Sequence, residues 1–525
     1  VQKTKTLNPY TYSKGEAAGY LVGLTGQNMI YNIVATGLYY YFQNVICLPA
    51  MALSMIMLFA RIWDAVNDPM MGTIVDKTKS KWGKCKPYLL FVPPLICVIT
   101  ILTFLNKNYA LASTSGEEAL IITWAAVSYV MWGMSYTIGD IPLWGVTSLM
   151  TQDENDRAKL LALARIFAGI GGIAVLIVQI AQAVSQIYVN KGFSQEEASQ
   201  KGFILTAIIL TLISSIMFEF AGLSVHERVA QSEKHYTLVE NFKTMFTNKP
   251  FRQILISGIL RSPIQLLSIV GMTLVTYYFA NGDFMNIFTT DASGKIVGID
   301  TKVAVDVIMI AIGLLIGMFV GSGATPALTK KIEKYKLYNF YSVGGAVPFA
   351  LIFVLFEITN GNLKDNYILA AVTAVLIFLA SWSMGGLNVL QSVMIADCID
   401  YEEYTNGVRT DGVFFSGQSF VTKLGAGIAS LISGVIYNAV GYSGKAINTL
   451  NNDLHAGADF VTYADGKYAM AMFLLISVPP AIGLILSAIP TWKYALPDKE
   501  HSRILSELIE KRKAKAQNQD TLADH

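Results

Sequence analysis

Charge is what this 525-residue chain has least of: Asp, Glu, Lys and Arg make up only 14% of it. An ordinary soluble domain carries about 25%, so a water-facing globule of this size would be short of charged surface. Histidine is nearly absent. His226, His235, His455, His501 and His525 all fall outside the apolar stretches, which excludes a histidine proton relay inside them. Four scattered cysteines, Cys47, Cys85, Cys97 and Cys398, have neither metal-ligand spacing nor the density of a disulfide scaffold; they read as small packing residues. No GxxxxGK[ST] stretch occurs, so nucleotide hydrolysis is not the energy source. No base–nucleophile pair or His/Asp metal cluster is legible, so enzyme chemistry and a cofactor are not expected. Net charge is only +2, and no nucleic-acid partner is expected. The opening VQKTKTLNPYTYSKGE lacks the apolar core of a cleavable signal peptide, which leaves targeting to the first spanning segment.

What fills the chain instead is hydrocarbon: 53% of residues are hydrophobic and mean hydropathy is +0.46. Apolar stretches run near 18–45, 50–75, 88–106, 119–150, 160–188 and 202–223. Six more run near 251–280, 302–328, 339–358, 367–396, 411–438 and 468–491. Crossing the hydrocarbon takes about 17–25 helical residues, and these runs are continuously apolar rather than alternating as membrane strands would be. The expectation is an all-α integral membrane protein of 12 transmembrane helices in two six-helix bundles. Residues 1–223 form the first bundle, 224–250 a cytoplasmic linker, 251–495 the second bundle and 496–525 a cytoplasmic tail. Within the linker, YTLVENFKTMF puts Leu238, Phe242, Met245 and Phe246 on one face, the pattern of a helix lying at the membrane surface. Ile504, Leu505, Leu508 and Ile509 predict a short helix in the tail.

Positive charge orients this reading. With the N-terminus in the cytoplasm, 27 of the 39 Lys and Arg fall on that side, 8 on the other, and Arg61, Arg165, Arg261 and Lys423 in or against the spans. That is the positive-inside bias, with both termini cytoplasmic.

Ionisable residues inside the apolar runs carry the functional signal. Asp or Lys at the centre of a spanning helix costs about 2.5–3.5 kcal/mol, so such groups face protein or a wet cavity and mark function. In ARIWDAVNDPMMG, Arg61, Asp64 and Asp68 share one helix face. Two carboxylates a turn apart repel unless a cation joins them, which suits Na⁺, Li⁺ or H⁺; Pro69 should loosen the helix beside them. The plainer alternative is an Arg61–Asp64 structural pair. In WGMSYTIGDIPLWG, Asp140 stands one turn from Thr137 and Trp144 and four residues after Tyr136. A carboxylate with a hydroxyl can complete an oxygen-ligated ion site. A carboxylate with an indole suits a sugar, and one group serving both ligands would couple them. Lys423, amid small residues in SGQSFVTKLGAGIAS, is a candidate partner for those carboxylates or one end of a structural salt bridge. Gln27, Asn28, Tyr31 and Asn32 in the first span, and Asn388 and Gln391 in the tenth, can supply neutral hydrogen bonds or only hold helices together.

These residues also carry a resemblance. RIWDAVNDPMMGTIVDKTKSKWGKCKPYLL, GDIPLWG, ARIFAGIGG, VMIADCIDYEEYTNGVRTDG and the lysine of VTKLGAG closely resemble the glycoside–pentoside–hexuronide:cation symporters, the melibiose-permease group of the major facilitator superfamily. The resemblance implies a cation site at Asp64, Asp68 and Thr137. It assigns Asp140 to sugar and cation together, with Trp144, Arg165 and Lys423 around the central cavity. It also implies alternating access by rocking bundles, with Arg61, Asp76, Lys77 and Lys84 in a cytoplasmic gate. Asp76 would pair with the basic stretch Lys77, Lys79, Lys81, Lys84 and Lys86. Departures fall where substrate is read. Asn28 stands where galactoside carriers have an acid, and Asn388 where they have an aromatic, which removes a charge-assisted acceptor and argues against melibiose.

The resulting expectation is import of a pentoside, neutral glycoside or hexuronide with Na⁺, H⁺ or Li⁺ across a bacterial inner membrane, by a chain able to work as a monomer. Substrate would meet Asn28, Asn32, Asp140, Trp144, Arg165, Asn388, Gln391 and Lys423; Na⁺, if it is the ion, would meet Asp64, Asp68 and Asp140. The alternatives are a uniporter or symporter of a non-sugar organic solute, and a membrane solute sensor that does not transport.

Overall fold

The structure is a computed structural model that describes residues 11–151, 154–228, 246–290, 296–364, 366–407, 411–508 and 510. Among them, eleven helices are long and apolar enough to cross a membrane, from Ala50–Gly72 to Tyr463–Thr491. These correspond to the second through twelfth stretches of the sequence. The first, α1 (Lys14–Asn32), does not reach that apolarity, for it carries Lys14, Glu16, Gln27, Asn28 and Asn32. Side chains such as Phe59, Phe91, Phe319 and Ile358 stay largely exposed, which water would penalise and hydrocarbon does not. All four cysteines are free and buried. The one sheet among the described residues is a short antiparallel ladder, with Phe288 opposite Ile299 and Thr289 opposite Gly298.

Packing divides the chain into two compact units. The first joins residues 1–234 with 271–301 and 430–468. Ser13 caps α1, its hydroxyl accepting from the Glu16 N–H while Glu16 accepts from the Ser13 N–H at 2.7 Å. Gly19, Gly23 and Gly26 bring α1 so close to the helix Gln195–Ser224 that a Cβ at any of them would strike Ser224, Ala221 or Ser214. That approach is the use of small residues in a membrane interface. Beyond Asn32 the chain widens into two π-helical stretches, Ile33–Leu38 and Tyr41–Val45. Helix α2 (Ala50–Lys77) continues across position 69, where proline has no N–H to offer the Ala65 carbonyl. Helices α3 (Lys86–Phe104) and α4 (Ser115–Gly145) follow.

At the end of these helices away from the lysine-bearing 77–86 connector, segments from the second half of the chain close on the first. Tyr442 donates to Asn44 Oδ1 at 2.7 Å, Asn451 to the Asn44 carbonyl at 2.9 Å, and Tyr277 to Asn451 Oδ1 at 2.6 Å. Glu196 accepts from Asn448 and Asn452 at 3.0 and 2.8 Å, both on the amphipathic helix Lys445–His455. Asp283 accepts from Gln186 at 2.9 Å. Burial raises the Asp283 carboxyl above its ordinary value and lowers the His455 imidazole, and both line one small polar cavity with Glu196.

The second unit comprises residues 235–270, 302–429 and 469–525. Asn248 caps Lys249–Leu260, and its amide donates to Glu402 at 2.9 Å. Gly317, Gly321 and Gly385 let Thr301–Leu328 and Tyr367–Asn406 touch through backbone. The tail forms the helix expected for it, at 498–508. Ile504 and Leu508 are buried, and His501 lies 3.1 Å from Asp400. Of the surface helix expected at 236–246, residues 236–245 lie outside the described residues, as do Ile509 and the Asp76 side chain.

Candidate functional site

The carboxylates of α2 turn toward α4. Asp64 is buried, and Arg61 donates to its Oδ2 at 3.2 Å. The Arg61 guanidinium also lies 6.0 Å from the Tyr129 ring centre, so α4 supplies an aromatic face to the buried cation. Space for Asp64 exists because residue 133 is glycine: a Cβ there would stand 3.0 Å from Asp64 Oδ1. One turn on, Thr137 donates to Asp68 Oδ1 at 3.0 Å. Thr137 is buried while Asp68 is half-buried. Hydroxyl and carboxylate oxygens meeting at a half-open position are hard donors of the kind that Na⁺ and Li⁺ prefer.

Helix α1 completes the cluster. Gln27, fully buried, donates to Asp140 Oδ1 at 2.5 Å and also bonds Tyr136 Oη. Asn28 donates to Gln27 Oε1 at 2.7 Å and to the Leu24 carbonyl. Asn32 donates back to the Asn28 carbonyl at 2.8 Å. Tyr136 stacks on Trp132 with ring centres 5.0 Å apart and leans on Tyr31 at 5.7 Å. Arg165, on the helix Glu154–Gly171, sets its guanidinium 4.9 Å from the Trp144 ring centre. Asp140 is thus flanked by an amide and a phenol, with an arginine-covered indole one turn along α4.

The structure therefore brings Arg61, Asp64, Asp68, Thr137, Asp140, Asn28, Trp144 and Arg165 into one unit through α1, α2, α4 and Glu154–Gly171. Among the described residues no three Asp, Glu, His or Cys side chains gather as a metal-holding group; Asp64 and Asp68 stand on α2 and Asp140 on α4. Asn388, Gln391 and Lys423 belong to the second unit. There Gln391 is buried and accepts from Arg261. Lys423 is half-buried, and Gly425 two residues on abuts Ser262 and Gln265. Lys77 is exposed and Lys84 half-buried. Gln27 was legible only as one polar residue among several. Its direct bond to Asp140 depends on the rotation of α1, which the Gly19/Gly23/Gly26 stripe fixes and which could have singled it out.

The site stands in a chain of membrane-length apolar helices with acids facing protein. Residues 19–498 match the family described as MFS/sugar transport protein, and the chain belongs to it; it is a multi-pass membrane transporter and not an enzyme. It is 25% identical over 431 residues to the isoprimeverose transporter of Lactiplantibacillus pentosus, covering 81% of each chain. It is 23% identical over 499 residues to the glucuronide carrier protein homolog of Escherichia coli (strain K12), covering 95% and 96%. Among solved structures it resembles the nucleoside transporter NupG, with a TM-score of 0.53 and 15% identity over 91% of this chain and 99% of that one, which supports the major facilitator fold.

Proposed function

We propose that this protein is a symporter that carries a sugar or glycoside inward with a monovalent cation, by alternating access across the bacterial inner membrane with both termini cytoplasmic. The observation that carries the reading is the Thr137–Asp68 hydrogen bond beside the buried Arg61–Asp64 pair. Arg61 offsets Asp64, and Asp68 offers its carboxylate to a mobile cation beside the Thr137 hydroxyl. Asp68 and Thr137, with Asp64 behind them, hold the cation; Asp140, Trp144, Arg165 and Asn28 hold the sugar. Thr137 and Asp140 stand one turn apart on α4, so each ligand stabilises the helix face the other needs, and coupling is reciprocal.

Two relatives bear on the substrate class. One is named for isoprimeverose and the other for a glucuronide. Asn28, which brings no charge, accepts either a neutral or an acidic sugar. Arg165 over Trp144 favours the acidic one, because guanidinium binds carboxylate through two parallel bonds. The test is binding and proteoliposome uptake with pentosides, neutral glycosides and glucuronides, each with Na⁺, Li⁺ or neither. At least one of these sugars should bind roughly tenfold more tightly with a cation present, a coupling of the usual size. Sugar binding that no cation or pH change alters would overturn symport in favour of a uniporter, and no sugar binding at all would favour a non-sugar solute.

A further inference from the structure

The linker between the two halves of the chain reads in sequence as a polar tether, yet its first residues, Val225 to Arg228, are knotted into the first unit. Glu227 Oε1 accepts from the backbone N–H groups of Cys85 and Lys86 at 2.7 and 2.9 Å, and Oε2 from that of Lys84 at 2.8 Å. Those three successive amides open helix α3, where unpaired N–H groups and the helix dipole favour an anion. Here the anion is part of the same chain. Gly83 makes room for it: its φ is +112°, and a Cβ would run into the Glu227 carboxylate.

The flanking residues tie the segment to two further elements. The Lys86 ammonium donates to the Val225 carbonyl at 2.7 Å, and the Arg228 N–H to the Leu149 carbonyl at 2.7 Å. Arg228 Nη2 and His226 Nδ1 both meet Glu16 Oε1 at 2.7 Å. Four residues therefore fasten the first turn of α1, the 83–86 connector, the short helix Thr147–Met150 and the start of the linker together.

We infer that Glu227 is a positioning residue for transport: it fixes the lysine-bearing connector to the root of the linker, so that this end of the first unit moves as one piece when the linker is pulled. The inference rests on the transport reading above. Because its partners are backbone amides, no charge swap on another side chain can replace it. Glutamine keeps a single acceptor oxygen for three donors and alanine keeps none.

The test uses purified, reconstituted protein. Glu227→Ala should lower the maximal uptake rate per folded molecule about tenfold, the effect of losing a charge-assisted hydrogen bond. Glu227→Gln should lower it less, and substrate KM and equilibrium binding should stay within about twofold in both. Trypsin should cut after Lys84 roughly tenfold faster in Glu227→Ala than in the wild type, in keeping with that same loss. Arg228→Ala, a control on the neighbouring contact, should leave that cleavage slow. A Glu227→Ala protein with wild-type rate and wild-type cleavage would overturn the inference. If the wild type transports no solute while Glu227→Ala still exposes the connector, the transport reading fails and the fastening role stands.

Discussion

Two regions of the first unit are both polar, yet they are made of different chemistry. The α2–α4 site holds formal charges: Asp64 against Arg61, Asp68 against Thr137, Asp140 against Gln27. At the opposite end from the 77–86 connector, the closure around Asn44 is mostly made by amides and phenols, with Glu196 and Asp283 each accepting from neutral amides. A charge taken from water is costly to bury and strongly held once paired. Neutral hydrogen bonds net only about 0.5–1.5 kcal/mol each, so contacts of this kind part and re-form at low cost. The first region is held by charge and the second by neutral hydrogen bonds.

That contrast can be broken at either end. The largest effect is expected from Arg61→Ala, which leaves the buried Asp64 carboxylate without its guanidinium; losing one member of a buried pair costs about 3–5 kcal/mol. Thermal unfolding of the purified protein should show a drop of several degrees, largely restored in the Arg61→Ala/Asp64→Ala double variant. An unchanged midpoint would mean the pair is not sealed from water. A smaller effect is expected from Asn451→Ala, which removes one donor to Asn44 and the acceptor for Tyr277, roughly 1–2 kcal/mol together. Hydrogen exchange across 445–455 should quicken several-fold while cation and sugar binding stay as they were. Slow exchange in that variant would show that the closure is held by something other than its amides.

Much of the site was legible because hydrocarbon makes charge conspicuous. Asp64, Asp68 and Asp140 stand out in apolar runs, and helical spacing alone puts Arg61 beside Asp64 and Thr137 beside Asp140. The spans themselves were equally plain, apart from α1, whose polar face for Gln27 and Asn28 lowers the very hydropathy that marks a span. Rotation and tertiary distance were not legible. Periodicity did not reveal that Gly133 would clear room for Asp64, or that Gln27 rather than Asn28 would reach Asp140. Glu227 was hidden for a different reason: its partners are backbone N–H groups, which every sequence has and no motif displays.

The most direct test of the central claim, that Asp68 holds the coupling ion, is uptake and exchange by the Asp68→Asn protein in proteoliposomes. Asparagine keeps the size and an acceptor for Thr137 but loses the charge. Gradient-driven accumulation should fall to background while exchange of sugar for sugar continues within a few-fold of wild type, the split expected when an interaction with the driving ion alone is removed. Normal accumulation under every ion gradient would contradict the assignment and move the cation elsewhere in the protein.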